Sequence, residues 1–263
     1  MVEAWDLAAY ELRDRSPLFR GKLKPSTTKS GRLTAGFTNW YMTSKSLVTK
    51  HHAIRTVITK LLSFPISLHC WMKAAIIGTY NSGSSVLSQI VERMGFDIGR
   101  PLWGKHYESL SMKVLLAAWW APPKLSATTR IDDRIPYFNT WGELYEGKSG
   151  NACLKHPLLC LSGSDLDAAW GSSYRAIRAY RPLEDSITRL KKRKWFEGQE
   201  HRIQTHLFNE SEAYFSNKEH LKINYDNLLE QPKIEVIRIA EYLKIPYSDS
   251  LIDYASACVK SPK

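Results

Sequence analysis

The sequence predicts an α/β protein of three layers, in which a mostly parallel central sheet is flanked by helices. Three observations support this prediction. The run over 73–78 (K-A-A-I-I-G) is short and nearly all apolar, as in a buried parallel strand. A turn rich in Gly, Ser and Asn follows it, and a segment with helical periodicity comes next. Further strand and helix patterns alternate downstream, and such an order is typical of parallel sheets with right-handed crossovers.

The elements are predicted in order from Met72, where the composition changes most clearly. The first strand is followed by a turn over 79–83 and by a helix over 84–94, which Gly95 ends. The remaining expectations are a helix over 107–120, a loop-rich segment over 122–150 with a short helix near 141–145, a strand over 174–180, a helix over 182–192, a long amphipathic helix over 193–215, a last strand over 221–225 and a helix over 234–243.

The positive charge is concentrated at the N-terminus. The chain of 263 residues has a net charge of +11, but residues 1–71 hold eleven Lys and Arg against four acids, which leaves only +4 for the rest. We therefore expect one α/β domain over 72–263, preceded by a basic extension over 1–71. The extension is predicted to be partly disordered or to form a basic helix over 45–62, and peripheral membrane contact through it remains open. No nucleic-acid partner is expected, since the domain itself is only mildly basic.

The four cysteines form no CxxC pair and have no His/Cys metal spacing, so reduced thiols and no metal site are expected. The apolar run over 61–71 is too short to span a bilayer and contains Pro65 and His69. The N-terminus lacks the apolar core of a signal peptide. These features predict a soluble, cytoplasmic protein.

The segment over 78–85 (G-T-Y-N-S-G-S-S) has the skeleton of a phosphate-binding loop, with G-x-x-x-x-G between a strand and a helix. Its two glycines allow consecutive backbone N–H groups to face one concavity, and the helix adds the positive end of its dipole. A nucleoside triphosphatase needs Lys where this chain has Ser84. The loop therefore predicts a P-loop-like fold that binds a single terminal phosphate. An ordinary strand-to-helix turn is the alternative.

With Ser84 in place of the lysine, the loop resembles the 5′-phosphosulfate loop of the sulfotransferases that use 3′-phosphoadenosine 5′-phosphosulfate (PAPS). Four further stretches follow in the order of that family: 103–109 (W-G-K-H-Y-E-S), 155–161 (K-H-P-L-L-C-L), 176–186 (A-I-R-A-Y-R-P-L-E-D-S) and 221–232 (L-K-I-N-Y-D-N-L-L-E-Q-P) with 239–243 (I-A-E-Y-L). The resemblance covers about 72–245 and implies transfer of a sulfuryl group from PAPS to a hydroxyl without a metal. The glycine-rich C-terminal motif of the cytosolic small-molecule branch is absent, which favours the bacterial, carbohydrate-modifying type.

The resemblance also implies the site residues: Gly78, Asn81, Ser82, Gly83, Ser84 and Ser85 for the 5′-phosphate, Arg181 with Ser186 or Arg189 for the 3′-phosphate, and Glu108 or His106 as the base. Glu108 is expected to be the base ahead of His106, with a pKa raised by burial. Asn81 stands where the family usually has Lys or Arg, so a compensating cation, Lys105 or Lys155, is expected nearby.

Two other functions remain open at this point. A P-loop nucleotide-binding protein such as a small kinase would share the fold but would need the missing lysine. A catalytically inactive nucleotide-binding module would account for Asn81 and for Arg189, which replaces the usual serine. The acceptor of a sulfotransferase is also open among sugars, lipid-linked glycans, peptide tyrosines and small alcohols, with a carbohydrate favoured.

Overall fold

The computed structural model describes residues 72–259, which form a parallel sheet of four strands with helices on both faces. The strands are β1 (Met72–Ile77), β2 (Asn151–Lys155), β3 (Tyr174–Tyr180) and β4 (Leu221–Asn224), and their spatial order is β2-β1-β3-β4. Ala75 of β1 lies opposite Leu154 on one side and Ala176 on the other. The predicted α/β class is confirmed, and every pairing among these strands is parallel.

The helices connect the strands and pack against the sheet. They are α1 (Ser84–Arg93), α2 (Leu110–Trp120), α3 (Ile131–Ser149), α4 (Gly163–Trp170), α5 (Leu183–Lys192), α6 (Glu200–Phe215), α7 (Tyr225–Glu230), α8 (Pro232–Tyr242) and α9 (Asp249–Ser256), with short 3-10 turns at Gly104–His106, Pro157–Leu161 and Gly171–Ser173. None of the described helices is long and apolar enough to cross a membrane.

The residues of β1 alternate between two hydrophobic cores. Ala74 and Ile76 face a core built with α1, α8 and α9, whereas Ala75 and Ile77 face one built with α2, α3, α4 and α6. All four side chains are fully buried. This period of two, with apolar residues on both faces, is why the strand reads as a continuous apolar run in the sequence. The result is the three-layer arrangement that the sequence predicts.

The parallel strands all end at the same edge of the sheet. Beyond that edge lie the loop over 78–83 after β1, His156 after β2, Arg181 after β3 and Tyr225 after β4. In open parallel sheets, ligands bind outside the carboxyl ends of the strands. The topology therefore brings together segments that are up to about 150 residues apart in the sequence.

Two of the predicted elements were wrong. The segment expected to be loop-rich is mostly the 19-residue helix α3, which tolerates Pro136 because Phe138, Trp141 and Tyr145 are buried. The helix expected over 193–215 begins only at Glu200, and the preceding segment turns through positive φ at Lys194 and Phe196.

Strand β2 and helix α9 were not predicted at all, although both belong to the sheet and the packed core. The basic helix over 45–62 and the extension over 1–71 lie outside the described residues. Three of the four cysteines (Cys153, Cys160 and Cys258) are buried free thiols.

Candidate active site

A cavity of about 360 Å³ opens at the carboxyl edge of the sheet. The sequence-predicted residues that line it are Asn81, Gly83, Ser84, Ser85, His106, Glu108, Arg181 and Arg189. Gly78, Ser82 and Ser186 are not part of the lining. Lys155, expected as a compensating cation, also lines the cavity, so the structure brings the predicted phosphate loop, three predicted cations and both candidate bases together.

The loop between β1 and α1 has the backbone that its sequence suggests. Asn81 and Gly83 adopt left-handed conformations, with φ of 60° and 92°. A Cβ at Gly83 would collide with the ring of Tyr225, and one at Gly78 would collide with the backbone of β3, so both positions require glycine. Helix α1 begins at Ser84, and the N–H groups of its first turn are those that a helix leaves without intrahelical acceptors.

Three buried donors at this loop have no hydrogen-bond partner among residues 72–259. They are Asn81 Nδ2, Ser82 Oγ and Arg181 Nη2. An unpaired buried donor costs about 1–3 kcal/mol, more when it is charged. Asn81 and Arg181 also line the cavity, whereas Ser82 does not, so an anion bound in the cavity would satisfy the donors of Asn81 and Arg181. The backbone N–H of Ser82, in contrast, is already used within the loop by the carbonyl of Thr79.

Lys155, at the end of β2, connects the loop to the candidate bases. Its Nζ donates to Glu108 Oε1 at 2.7 Å, to Ser85 Oγ at 3.2 Å and to the carbonyl of His106 at 3.1 Å. The lysine side chain is only 3% exposed. Lys105, the other expected candidate for the compensating cation, is exposed and does not line the cavity.

Glu108 has the opposite pKa shift from the one that the sequence analysis expected. Burial by itself raises the pKa of Glu108, but Lys155, His156 and His106 outweigh it and lower the pKa below the usual carboxyl value. His156 Nε2 lies 3.6 Å from Glu108 Oε2, while its Nδ1 accepts from the N–H of Leu158. The expectation of a raised pKa is wrong because the sequence could not reveal the lysine next to this carboxylate. Glu108 is ionised and paired at neutral pH.

His106 is the second candidate base, and it is neutral at pH 7. Burial lowers the pKa of His106, and the nearby cations Lys155, Arg193 and Lys105 lower it further, against the opposing effect of Glu108. Its ring packs against Trp195, with 5.5 Å between the ring centroids. A neutral imidazole that lines the cavity can accept a proton from a bound hydroxyl.

Arg181 leaves the end of β3 and contacts the phosphate loop directly. Its Nη1 donates to the carbonyl of Asn81, and its guanidinium lies 3.8 Å from the centroid of the Tyr225 ring. Burial lowers the pKa of Arg181, and the charge of Arg189 acts in the same direction. Both arginines line the same cavity.

Ser186, proposed from the sequence as a 3′-phosphate ligand, points elsewhere. It is fully buried in α5, and its Oγ donates to the carbonyl of Leu183. A serine that turns back onto its own helix has no free donor to offer. Of the two alternatives for the second phosphate, Arg189 is the one that lines the cavity.

The sequence analysis missed several lining residues: Tyr80 within the loop, and Trp103, Lys113, Arg193, Trp195 and Tyr225 elsewhere in the chain. Trp103 and Lys113 flank Glu108 in the sequence, and Lys113 Nζ lies 3.1 Å from the Trp103 ring centroid. The sequence signal that could have found some of them is aromatic and basic residues next to each other, as in K-K-R-K-W-F over 191–196. Among the described residues, no group of His, Cys, Asp and Glu has an arrangement that would hold a metal ion.

The fold and this site define a parallel α/β protein with a glycine-containing loop at the carboxyl edge of its sheet. No family model matches the chain, and no curated protein matches its sequence. Among solved structures, the chain is similar to the sulfotransferase domain of the Synechococcus PCC 7002 olefin synthase, at 13% identity and a TM-score of 0.43, over 68% of this chain and 74% of that one.

The chain is also similar to a sulfotransferase from Mycobacterium avium, at 11% identity and a TM-score of 0.46, over 78% of this chain and 71% of that one. A third similar structure is the sulfotransferase domain from the curacin biosynthetic pathway, at 12% identity and a TM-score of 0.42, over 68% of this chain and 76% of that one. These likenesses concern the fold alone.

Proposed function

We propose that the chain is a sulfotransferase that moves a sulfuryl group from PAPS to a hydroxyl of a carbohydrate. The observation that carries the proposal is that the unpartnered donors of Asn81 and Arg181 lie in one cavity with three cations, Lys155, Arg181 and Arg189, at a loop without the lysine of a triphosphatase. A nucleotide with two separate phosphate groups fits such a site better than a triphosphate does.

Lys155 supplies the positive charge that the loop lacks because its residue 81 is asparagine. It approaches the loop from β2 and contacts Ser85 Oγ, which follows the first residue of α1. The first-turn N–H groups of α1 and the hydroxyls of Ser84 and Ser85 bind the 5′-phosphate, and Lys155 stabilises the charge that develops on this leaving group as the sulfuryl moves. Preorganised charge of this kind is the main catalytic contribution when transfer runs through a loose transition state.

His106 is the general base, and Glu108 holds Lys155 in position. The acceptor hydroxyl loses its proton during transfer, and neutral His106 takes it at a ring nitrogen. Glu108 cannot perform both roles well, because a carboxylate that already binds an ammonium at 2.7 Å is a weaker base. Its charge instead fixes the Lys155 ammonium between the loop and the carbonyl of His106.

The acceptor side of the cavity suits a sugar ring. Trp195 packs beside His106, and Trp103 lies in the same lining. Aromatic faces next to a general base hold the apolar face of a pyranose while leaving its hydroxyls free to react. We also propose that the enzyme acts in the cytoplasm, where the three buried free thiols would stay reduced.

The test is a transfer screen with ³⁵S-labelled PAPS across neutral and acidic glycans, using His106→Ala and, as a matched control, His201→Ala on the exposed face of α6. We expect transfer to at least one glycan, a loss of about 100-fold or more in kcat for His106→Ala, and unchanged affinity for adenosine 3′,5′-bisphosphate. The His201 variant should behave like the wild type. Binding of ATP with Mg²⁺ in preference to the bisphosphate would reject the proposal in favour of a kinase-like protein, and bisphosphate binding without any transfer would favour an inactive module.

A further inference from the structure

Arg181 makes two contacts that fix its guanidinium at the phosphate loop, and one of its donors has no partner among the described residues. The side chain is 5% exposed, Nη1 donates to the carbonyl of Asn81, and the guanidinium lies 3.8 Å from the Tyr225 ring centroid. Nη2 is buried and has no partner among the described residues. With Nη1 bound to a carbonyl and Nη2 without a partner, the guanidinium is positioned to bind an anion through Nη2.

Tyr225 connects this arginine to the glycine of the loop. Its ring packs so closely on Gly83 that a Cβ there would collide with it, and the Arg181 guanidinium lies over the same ring. Gly83 immediately precedes the first residue of α1, where the anion-binding N–H groups begin. The contacts from Gly83 to Tyr225 and from Tyr225 to Arg181 therefore make one packed unit.

Arg189 has a different environment. It lies on α5, is exposed, lines the cavity and makes no ion pair with any residue of the described part of the chain. Its charge acts on Arg181, so the two cations are neighbours. The two phosphates of adenosine 3′,5′-bisphosphate lie on opposite sides of the ribose, and one guanidinium fixed at the loop cannot serve both.

We propose that Tyr225 is a positioning residue that holds Arg181 against the loop, so that Arg181 binds the 5′-phosphate and Arg189 binds the 3′-phosphate. This proposal rests on the proposed function and departs from the sequence-based expectation that Arg181 binds the 3′-phosphate. It gives the loop two cations on opposite sides: Lys155 at Ser85 and Arg181 at Asn81.

The test separates the two phosphates by using ligands that carry only one of them. Isothermal titration would measure adenosine 5′-monophosphate, adenosine 3′-monophosphate and adenosine 3′,5′-bisphosphate against the full chain and its variants. We expect Arg181→Ala to weaken the 5′-monophosphate and the bisphosphate by about 10- to 100-fold and to spare the 3′-monophosphate. Arg189→Ala should show the reverse selectivity, and Lys191→Ala on the same helix should bind all three ligands as the wild type does.

The role of Tyr225 is tested by two substitutions, one that keeps the aromatic ring and one that removes it. Tyr225→Phe keeps the aromatic face and should retain the affinity for the 5′-monophosphate, whereas Tyr225→Leu removes it and should reproduce the selective loss seen in Arg181→Ala. Arg181→Lys, which keeps the charge but loses the planar stack, should fall between the wild type and Arg181→Ala and serves if Tyr225→Leu does not fold. A merely structural role for Tyr225 would weaken all three ligands equally, which would overturn the proposal.

The remaining outcomes separate this inference from the proposed function. If Arg181→Ala weakened the 3′-monophosphate and spared the 5′-monophosphate, the assignment of the phosphates would be overturned while the sulfotransferase proposal stood. If the selectivity came out as expected but no sulfuryl transfer were found, the assignment would stand and the enzymatic proposal would fail. If the wild type bound none of the three ligands, both would be overturned.

Discussion

The buried ion pair between Lys155 and Glu108 allows stability and chemistry to be tested in the same variants. Lys155 is 3% exposed, and Glu108 is its single carboxylate partner within the described residues, at 2.7 Å. In Glu108→Gln the lysine would keep its contacts to Ser85 Oγ and the carbonyl of His106 but would lose its counter-charge. Removing one partner of a buried pair typically costs about 3–5 kcal/mol, and because glutamine can still accept one hydrogen bond, we expect a loss of about 3 kcal/mol.

The double variant Lys155→Met/Glu108→Gln provides the decisive comparison. Methionine fills the volume of the lysine without a charge, so the double variant should recover most of the lost stability and should be more stable than the sum of the two single changes predicts. Urea unfolding at pH 7 measures these free energies. The control is Asp132→Asn, which removes one partner of the exposed pair with Arg130 and should change the free energy of unfolding little.

Activity should not recover together with stability. If Lys155 stabilises the leaving phosphate, the double variant should fold well and yet transfer sulfate at least about 100-fold more slowly than the wild type. Adenosine 3′,5′-bisphosphate should also raise the melting temperature of Glu108→Gln more than that of the wild type, since the bound phosphate supplies the missing negative charge. Wild-type stability of Glu108→Gln, or full activity of the double variant, would refute this reasoning.

Two further predictions concern neighbouring residues. Burial lowers the pKa of His156 from 6.5 to about 4. The folded protein therefore resists protonation of this residue, and the free energy of unfolding falls by about 3 kcal/mol as the pH is lowered from 6.5 toward 4. His156→Asn, whose amide oxygen can still accept from the N–H of Leu158, should flatten this part of the pH profile in urea unfolding, and an unchanged profile would assign the effect to other groups. Gly83→Ala should destabilise the fold by about 1–2 kcal/mol and weaken bisphosphate binding more than tenfold, because alanine disfavours a φ of 92° and its Cβ would displace Tyr225. Wild-type affinity of this variant in titration would argue against the observed loop conformation.

The elements that the sequence predicted well are those whose signals are local. The strand over Tyr174–Tyr180 was predicted with its observed ends, since its alternation and the following Arg181-Pro182 are both short-range features. The glycine loop was predicted for the same reason, because positive φ at Gly83 depends on the residue itself. Helix α3 was missed because Pro136 and Gly142 are local helix breakers, and only long-range packing outweighs them. Trp141 stacks on Trp170 of α4, a contact that no local pattern encodes.

The same distinction applies to the candidate site. The location of Ser84, Ser85 and Arg181 at one edge of the sheet could be predicted, because these residues follow strands and parallel strands end together. The direction of the Glu108 pKa shift could not be predicted, because it depends on Lys155. This lysine is 47 residues away and belongs to a strand that the sequence did not reveal. Lys155 did carry one usable signal, as a lysine that ends the apolar run over 152–154.

The backbone at Asn81 offers a physical reason why the loop of this chain lacks its own cation. Asn81 has a φ of 60°, and asparagine is among the few residues other than glycine that adopt this conformation readily. A lysine there would be strained by about 1 kcal/mol, and its charge would lie next to Arg181, whose Nη1 already occupies the carbonyl of residue 81. The conformation therefore favours a neutral residue at this position and leaves the positive charge to side chains from β2 and β3. Those two strands flank β1 directly, so the two cations can approach the loop from opposite sides without altering its turn.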